Sequence, residues 1–340
     1  MAPKPTIYDV SRQARVSLAT VSRVVHNHPT VRPETRAKVL EAMDQLGYHP
    51  NLLASALMTK QTKTIGLLVP DISNPFFAEL CRGVGDAVSE IGINVVICNT
   101  DDQLDREKDQ VRLLRQKGVD GLILASAEVN EEHIDELLIQ RYPVVLVARG
   151  VSRMDVPSVT VDDFEGGYVA TRYLLDLGHR RIALLSGPRR TTPTLARRKG
   201  FEAAMEQMGV PIDPQLVDAG AHTIESGMEM TARLLERNPE RPTAIVAGND
   251  LIAIGAIKVL RRAGLRIPED ISIVGYDGTF LTEAFDPELT TVRQPTEEIA
   301  TEAIRLLTSA IADPEKVSRK VVLPPQLLIR ASTGPVCEKM

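Results

Sequence analysis

Polar and aromatic side chains recur just after short apolar runs beyond residue 64. Phe76 and Phe77 close the segment Asp71-Ile72-Ser73-Asn74-Pro75-Phe76-Phe77, and Asp101-Asp102, Arg149, Asp162-Asp163, Arg197, His222, Asn249-Asp250 and Asp277 follow later runs. Carboxylates, amides and arginine forks gathered in one place suit a hydroxyl-rich ligand, because every polar group withdrawn from water needs a partner. Either phenylalanine offers a flat face for stacking on a sugar or a base, and either equally suits a core. Asp250, directly after Asn249 at a helix start, reads as well as a cap.

No catalytic signature accompanies these residues. The chain contains no Gly-x-Ser-x-Gly elbow, no His-Glu-x-x-His and no phosphate-binding Gly-x-x-x-x-Gly-Lys. Gly83-Val84-Gly85 has Val88 where a dinucleotide fingerprint needs its third glycine, and it lies inside a helical stretch. The histidines are dispersed, and His179, just ahead of a strand, reads as structural. The expectation is a protein that is not an enzyme, carries no metal or cofactor, and binds a small-molecule effector.

The elements that must position such a site are strands at the apolar runs: Thr64–Val69, Asn94–Cys98, Gly121–Ala125, Val144–Ala148, Ser158–Val161, Ile182–Ser186, Ala244–Ala247 and Ile271–Tyr276. Helical stretches of roughly 10–17 residues separate most of them, which predicts doubly wound parallel sheets. About 270 residues is long for one such sheet, so two similar halves are expected.

The first sixty residues read differently. Thr6 is a plausible cap for a short helix in which Val10 and Ala14 share a face. After a break at Arg15-Val16, Ser17 can cap a second helix whose Val21 and Val24 or Val25 turn inward, leaving Leu18, Ala19, Thr20, Ser22 and Arg23 outside. A third helix begins at Pro33 and ends at Gly47, with Ala37, Leu40, Met43 and Leu46 expected to close a small core. Two short helices joined by a tight turn form the helix-turn-helix that fits a major groove.

The match extends beyond pattern. Thr6-Ile7-Tyr8-Asp9-Val10 with Val16-Ser17-Leu18-Ala19-Thr20-Val21-Ser22-Arg23-Val24-Val25 resembles the DNA-binding headpiece of the Lac repressor/purine repressor family. Val31-Arg32-Pro33-Glu34-Thr35-Arg36, Leu46-Gly47-Tyr48-His49-Pro50-Asn51 and Thr64-Ile65-Gly66-Leu67-Leu68-Val69-Pro70 continue it in order. The resemblance implies that Leu18, Ala19 and Arg23 meet base edges, while Tyr8, Ser17, Thr20 and Ser22 mostly contact phosphates and Thr6 lies among the DNA-binding positions. Arg23 can fork onto guanine, and Leu18 and Ala19 can touch a thymine methyl. Asn51 to Met58 matches the hinge helix, too short to persist alone in water, so it should fold on operator DNA against its dimer mate. Its Asn51, Ala54, Ser55 and Leu57 would face DNA, with Leu57 as a minor-groove wedge. Two departures stand out: Arg15 in the turn where relatives usually carry a small residue, and Ser55 where many have arginine.

By the same resemblance the fold is α/β. An all-α helix-turn-helix headpiece (1–50) and a hinge (51–63) lead into a two-lobed core (64–333) akin to periplasmic binding proteins, followed by a tail (334–340). Lobe 1 covers about 65–161 and 295–322, lobe 2 about 162–292 and 323–333, with ligand in the cleft at the strand ends. Phe76, Phe77, Arg149, Asp162, Arg197, His222, Asn249 and Asp277 are the expected effector residues, Arg197 and Asp277 foremost. Ala148 departs from the acid that many sugar-responsive relatives carry before the arginine. A phosphorylated carrier protein on the outer face of lobe 1 is a further expected partner in some relatives. Effector binding would rearrange the lobes, respace two headpieces and bias the hinge. The chain ends within ten residues of Arg330, with no leucine-heptad tail, so a homodimer is expected.

Charge agrees with this division. Residues 1–60 hold eight Lys/Arg against four acids, so that segment is +4 and, with the whole chain at −5, the remainder is −9. A small basic module ahead of an acidic body is suited to a polyanion that only the module meets. Cys81, Cys98 and Cys337 are scattered and odd in number, as free thiols in a reducing compartment would be. No apolar stretch reaches the roughly 20 residues of a membrane helix, and Met1 to Pro5 lacks a secretory run, so a soluble cytoplasmic protein is expected. The alternative, a free solute-binding protein with an incidental basic leader, lacks an explanation for the headpiece match.

Overall fold

The computed structural model describes residues 5–25, 28–48, 61–125, 131–148, 156–189, 191–238, 240–313 and 319–336. The chain divides into two compact units, Met1–Lys63 and Thr64–Met340.

In the first unit, helices α1 (Ile7–Ala14), α2 (Leu18–Val25) and α3 (Pro33–Leu46) enclose a core of Val10, Val21, Val24, Val39 and Ala42. The backbone N–H and hydroxyl of Thr6 both donate to the carboxylate of Asp9, at 2.8 and 2.6 Å, fastening the start of α1. The Ser17 hydroxyl accepts from Thr20 N at 3.1 Å and caps α2. Arg15 takes φ 52° and ψ 44°, left-handed backbone that costs a non-glycine residue free energy, and so carries the turn its side chain does not favour. The inward face of α3 differs from expectation. Leu40 is 50% exposed and Ala37 is exposed, while Val39 and Ala42 are buried, with Met43 and Leu46 packed beside them. In a helix this short the apolar positions outnumber those a three-helix core can take, so spacing alone does not choose the buried stripe.

The second unit holds two six-stranded sheets. β1 (Thr64–Val69), α4 (Pro75–Glu90), β2 (Asn94–Asn99), α5 (Leu104–Gln116), β3 (Gly121–Leu124), α6 (Glu131–Ile139), β4 (Val144–Val147) and β5 (Ser158–Val161) build the first lobe. α7 (Asp163–Asp176), β6 (Ile182–Ser186), α8 (Thr192–Gln207), β7 (Val217–Ala219), α9 (Ile224–Arg237), β8 (Ala244–Ala247), α10 (Asp250–Arg262), β9 (Ser272–Asp277) and β10 (Thr290–Arg293) build the second. The chain then returns through α11 (Thr296–Ala312) and β11 (Lys320–Leu323) to the first lobe and ends on β12 (Gln326–Leu328) in the second. Strand order is β11-β5-β4-β3-β1-β2 in one sheet and β12-β10-β9-β8-β6-β7 in the other.

Every pairing is parallel except β12 with β10, so the sheets are parallel in the main, as expected, with one antiparallel edge strand. β11 ends two residues before β12 begins, so the chain enters the second lobe at the end where its other strands finish and must run against them; a parallel approach needs a crossover of a dozen or more residues. β7, β10, β11 and β12 were absent from the strands read off the sequence, being short or polar, as in Thr-Thr-Val-Arg of β10. His179 is buried and bonded on both ring nitrogens, to Thr243 Oγ1 at 2.9 Å and Gly334 O at 3.0 Å, which ties the C-terminal segment to the second lobe as a structural histidine does. Among the described residues no helix is long and apolar enough to cross a membrane.

Candidate functional site

Two surfaces bring the singled-out residues together. The first is the outer face of α1 and α2. Tyr8 is 62% and Leu18 37% exposed, Ser17, Ala19 and Arg23 are exposed, and Thr20 and Ser22 are half-buried. Val21 and Val24 fill the opposite face, so the second helix is held from behind while its apolar Leu18 and cationic Arg23 point away from the core. That division follows the 3.6-residue period. Asn51, Ala54, Ser55 and Leu57 lie outside the described residues.

The second surface is a small cavity of about 40 Å³ between the two sheets, lined by Asn74, Phe76, Phe77 and Ala148 from the first lobe and Thr191, Pro193, Arg197, His222, Asn249 and Asp277 from the second, with Gln294 on the segment joining β10 to α11. Its centre is Arg197. The guanidinium donates from Nε to Asp163 Oδ1 at 2.8 Å and from one terminal nitrogen to Gly248 O at 2.8 Å, and lies 3.8 Å from Asp277 Oδ1. The guanidinium carbon sits over the Tyr276 ring, 3.6 Å from the centroid, and Tyr276 donates its hydroxyl to Asp163 Oδ1 at 3.0 Å. Two glycines make this approach possible: a Cβ on Gly167 would stand 2.1 Å from Arg197 O and one on Gly200 2.1 Å from Phe164 O. Their absence lets α7 and α8 close in until Asp163, on the first turn of α7, reaches Arg197 on α8.

Asp277 ends β9 at φ 112°, strained backbone for a residue with a side chain and a frequent mark of a binding position. Its Oδ1 accepts from Gln294 Nε2 at 2.7 Å. Behind it, buried Asp250 accepts from Thr291 Oγ1 at 2.6 Å, Thr279 N at 2.9 Å and Thr279 Oγ1 at 3.1 Å. Burial pushes the Asp277 carboxyl well above the usual carboxylate range; Arg197 opposes this and the neighbouring Asp250 reinforces it. Burial raises Asp250 too, against the hydrogen bonds from Thr291 and Thr279. For Arg197 burial works against the charge, but Asp163, Tyr276 and Asp277 outweigh it and keep the guanidinium protonated.

A pH dependence follows. A buried acid with a raised folded value favours its neutral form, so its contribution to stability is whole below its ordinary value of about 4 and fades as pH climbs through the raised one. Asp277→Asn removes that loss while Arg197 keeps Asp163. In the ligand-free protein the variant is expected to melt roughly 2–4 °C above the wild type at pH 8, with the excess shrinking steadily toward pH 5. Thermal melts across that range decide it; a pH-independent difference contradicts the assignment.

Of the residues expected in the cleft, Phe76, Phe77, Arg197, His222, Asn249 and Asp277 line it. Phe76 and Phe77 are also core, edge to face at 5.0 Å, so the two readings of them are compatible. Asn249 Oδ1 caps α10 through Ile252 N at 2.9 Å. Asp162 is not among the lining residues: it is exposed and caps α7, Oδ1 accepting from Glu165 N at 2.9 Å, and the carboxylate brought to Arg197 belongs to Asp163. Adjacent acids at a helix start compete for one cap, and the helical turn sends the second inward. Arg149 lies outside the described residues. Asn74, Tyr276 and Gln294 were not singled out; the signal for Tyr276 was its place beside Asp277 at a strand end, whereas nothing in the Gln294 neighbourhood marked it.

Comparison with known proteins covers both units. Residues 6–51 match the model of bacterial regulatory proteins, lacI family, and residues 62–331 match periplasmic binding proteins and sugar binding domain of LacI family. Catabolite control protein A of Priestia megaterium is 42% identical over 329 residues, spanning 96% of this chain and 99% of that protein. The transcriptional regulator CelR, solved as a cellobiose complex, is 34% identical with a TM-score of 0.74, over 96% of this chain and 99% of its own. The Lac repressor dimer bound to operator and the anti-inducer ONPF is 27% identical with a TM-score of 0.87, over 98% of this chain and 100% of its own.

Proposed function

Since the chain belongs to the LacI family of bacterial transcriptional regulators, we propose that it is a dimeric repressor whose grip on operator DNA is switched by a small molecule, a sugar or sugar derivative, held in the cleft around Arg197. DNA binding comes with the family; the switch, its ligand and the residue roles are the proposal. Leu18, Ala19 and Arg23 read base edges, and Tyr8, Ser17, Thr20 and Ser22 hold phosphates and fix register. Arg197, Asp277 and Asn249 meet the effector's hydroxyls over the Phe76–Phe77 pair, with Asp163 and Tyr276 holding the guanidinium in place. The cellobiose bound by a relative of similar length supports a polyol ligand.

The observation that carries the switching reading is the size of the cavity. About 40 Å³ holds no more than a few water molecules, whereas ligand pockets run to roughly 300 Å³ and above. A sugar therefore enters only if the lobes separate or turn, and its binding energy is coupled to that motion. A gel shift on the organism's own promoter fragments tests the DNA half. A specific complex is expected whose affinity falls at least about tenfold between 50 and 200 mM salt, as released phosphate counterions require. No specific complex, or one indifferent to salt, contradicts it.

A further inference from the structure

On the reading that the cleft must open to admit its ligand, we propose that Glu79 is a positioning residue for the switch: its bond to the Phe280 amide latches the two lobes together and sets how readily they separate. Glu79 is on α4 in the first lobe, and Phe280 opens the short helical turn Phe280–Glu283 in the second. Glu79 Oε1 accepts from Phe280 N at 3.0 Å. This bond lies at the side of a groove of about 530 Å³ whose walls come from α4 on one hand and Gly278, Thr279 and Phe280 on the other, with Arg293, Thr296 and Glu297 beside one crossing between the lobes completing it. A backbone amide meeting a carboxylate across such a groove has no covalent reason to stay there, so the bond breaks and forms with the lobe arrangement.

The latch is tied to the cleft by three residues of chain. Asp277 lines the cleft in strained backbone, and Gly278 follows it at φ 71°, where a Cβ would press to 2.6 Å against Arg293. Thr279 is then fixed by two bonds to buried Asp250, which follows the cleft residue Asn249 in sequence. A ligand that turns Asp277 therefore moves the Phe280 amide relative to Glu79, through a turn too short and too firmly held to absorb the change. At its other end α4 begins with the phenylalanines on the cleft floor, so both partners of the latch are rigidly joined to the site.

Glu79→Ala removes the acceptor, and Glu79→Gln keeps an oxygen without the charge. Hydrogen exchange of the full-length protein without added ligand is expected to show the segment 278–284 exchanging at least fivefold faster in Glu79→Ala than in wild type, with Glu79→Gln between. Because the lobe equilibrium is shared with the headpieces, operator affinity of the ligand-free protein is expected to change at least fivefold in Glu79→Ala and less in Glu79→Gln, with Asp86→Ala, further along α4, within twofold of wild type. Unchanged exchange at 278–284 overturns the latch. Faster exchange with operator affinity within twofold of wild type overturns its role in the switch. Should the wild type bind no operator, the regulator reading fails, while the exchange measurement still decides whether the latch exists.

Discussion

Arg197→Ala is expected to abolish the rise in melting temperature that an effector gives the wild-type protein. At a ligand concentration 100-fold above its Kd, binding to the folded state alone contributes about 2.7 kcal/mol, which for a unit of this size is a shift of roughly 5 °C or more. A panel of sugars, sugar acids and purines is the probe. The expectation rests on the guanidinium being the one cationic fork among the described lining residues, pinned by Asp163, Gly248 O and Tyr276 so that its remaining donors need no reorganisation to meet a hydroxyl. Removing it also leaves buried carboxylates without their counter-charge, so the ligand-free variant melts lower. Asp163→Asn separates the two effects: it leaves the cation in place but frees its orientation, and is expected to weaken binding by about tenfold, the order of one charge-assisted hydrogen bond, without abolishing it. A full shift in Arg197→Ala with an unchanged midpoint contradicts the site.

Arg23→Ala is expected to cost 1–3 kcal/mol of operator affinity, about 5- to 150-fold, and to erase the preference at one base pair. Arg23 is exposed on α2 while Val24 beside it is buried, so the loss comes from the DNA contact rather than from the headpiece core. A base-reading residue and a phosphate-holding one differ in signature. Tyr8→Phe should weaken binding evenly over operator variants, whereas Arg23→Ala should weaken only sequences carrying the guanine it reads. Anisotropy titrations against single-site operator variants distinguish the two. Equal loss on every sequence contradicts base reading by Arg23.

How far these residues were legible follows from how local their signals are. Helices α1 and α2 announce themselves within ten residues through a cap, an inward valine face and a turn, and the structure starts both directly after the expected caps. Strands β1, β6 and β8 are mainly apolar runs and β5 alternates polar with apolar residues, and all four fall at their expected limits. The short strands β10 and β12 have no such pattern, because their pairing is imposed by a sheet assembled from distant segments. The cleft divides along the same line. Arg197 and Asp277 were legible as charges at strand ends and beyond, but the choice of Asp163 over Asp162 depends on how α7 packs on α8, and Gln294 joins only because the chain crosses between lobes there. The stripe of α3 failed for a similar reason: Leu40 and Val39 are both apolar, and the two neighbouring helices decide which is buried.

The central claim is that one small molecule in the cleft governs the grip of the headpieces. Its most direct test is an operator titration of the full-length protein with and without a saturating concentration of the compound that raises the melting temperature most. A change in operator affinity of at least tenfold is predicted for the wild type, and none for Arg197→Ala at the same concentration. An operator affinity that stays the same while the compound still raises the melting temperature would contradict the account.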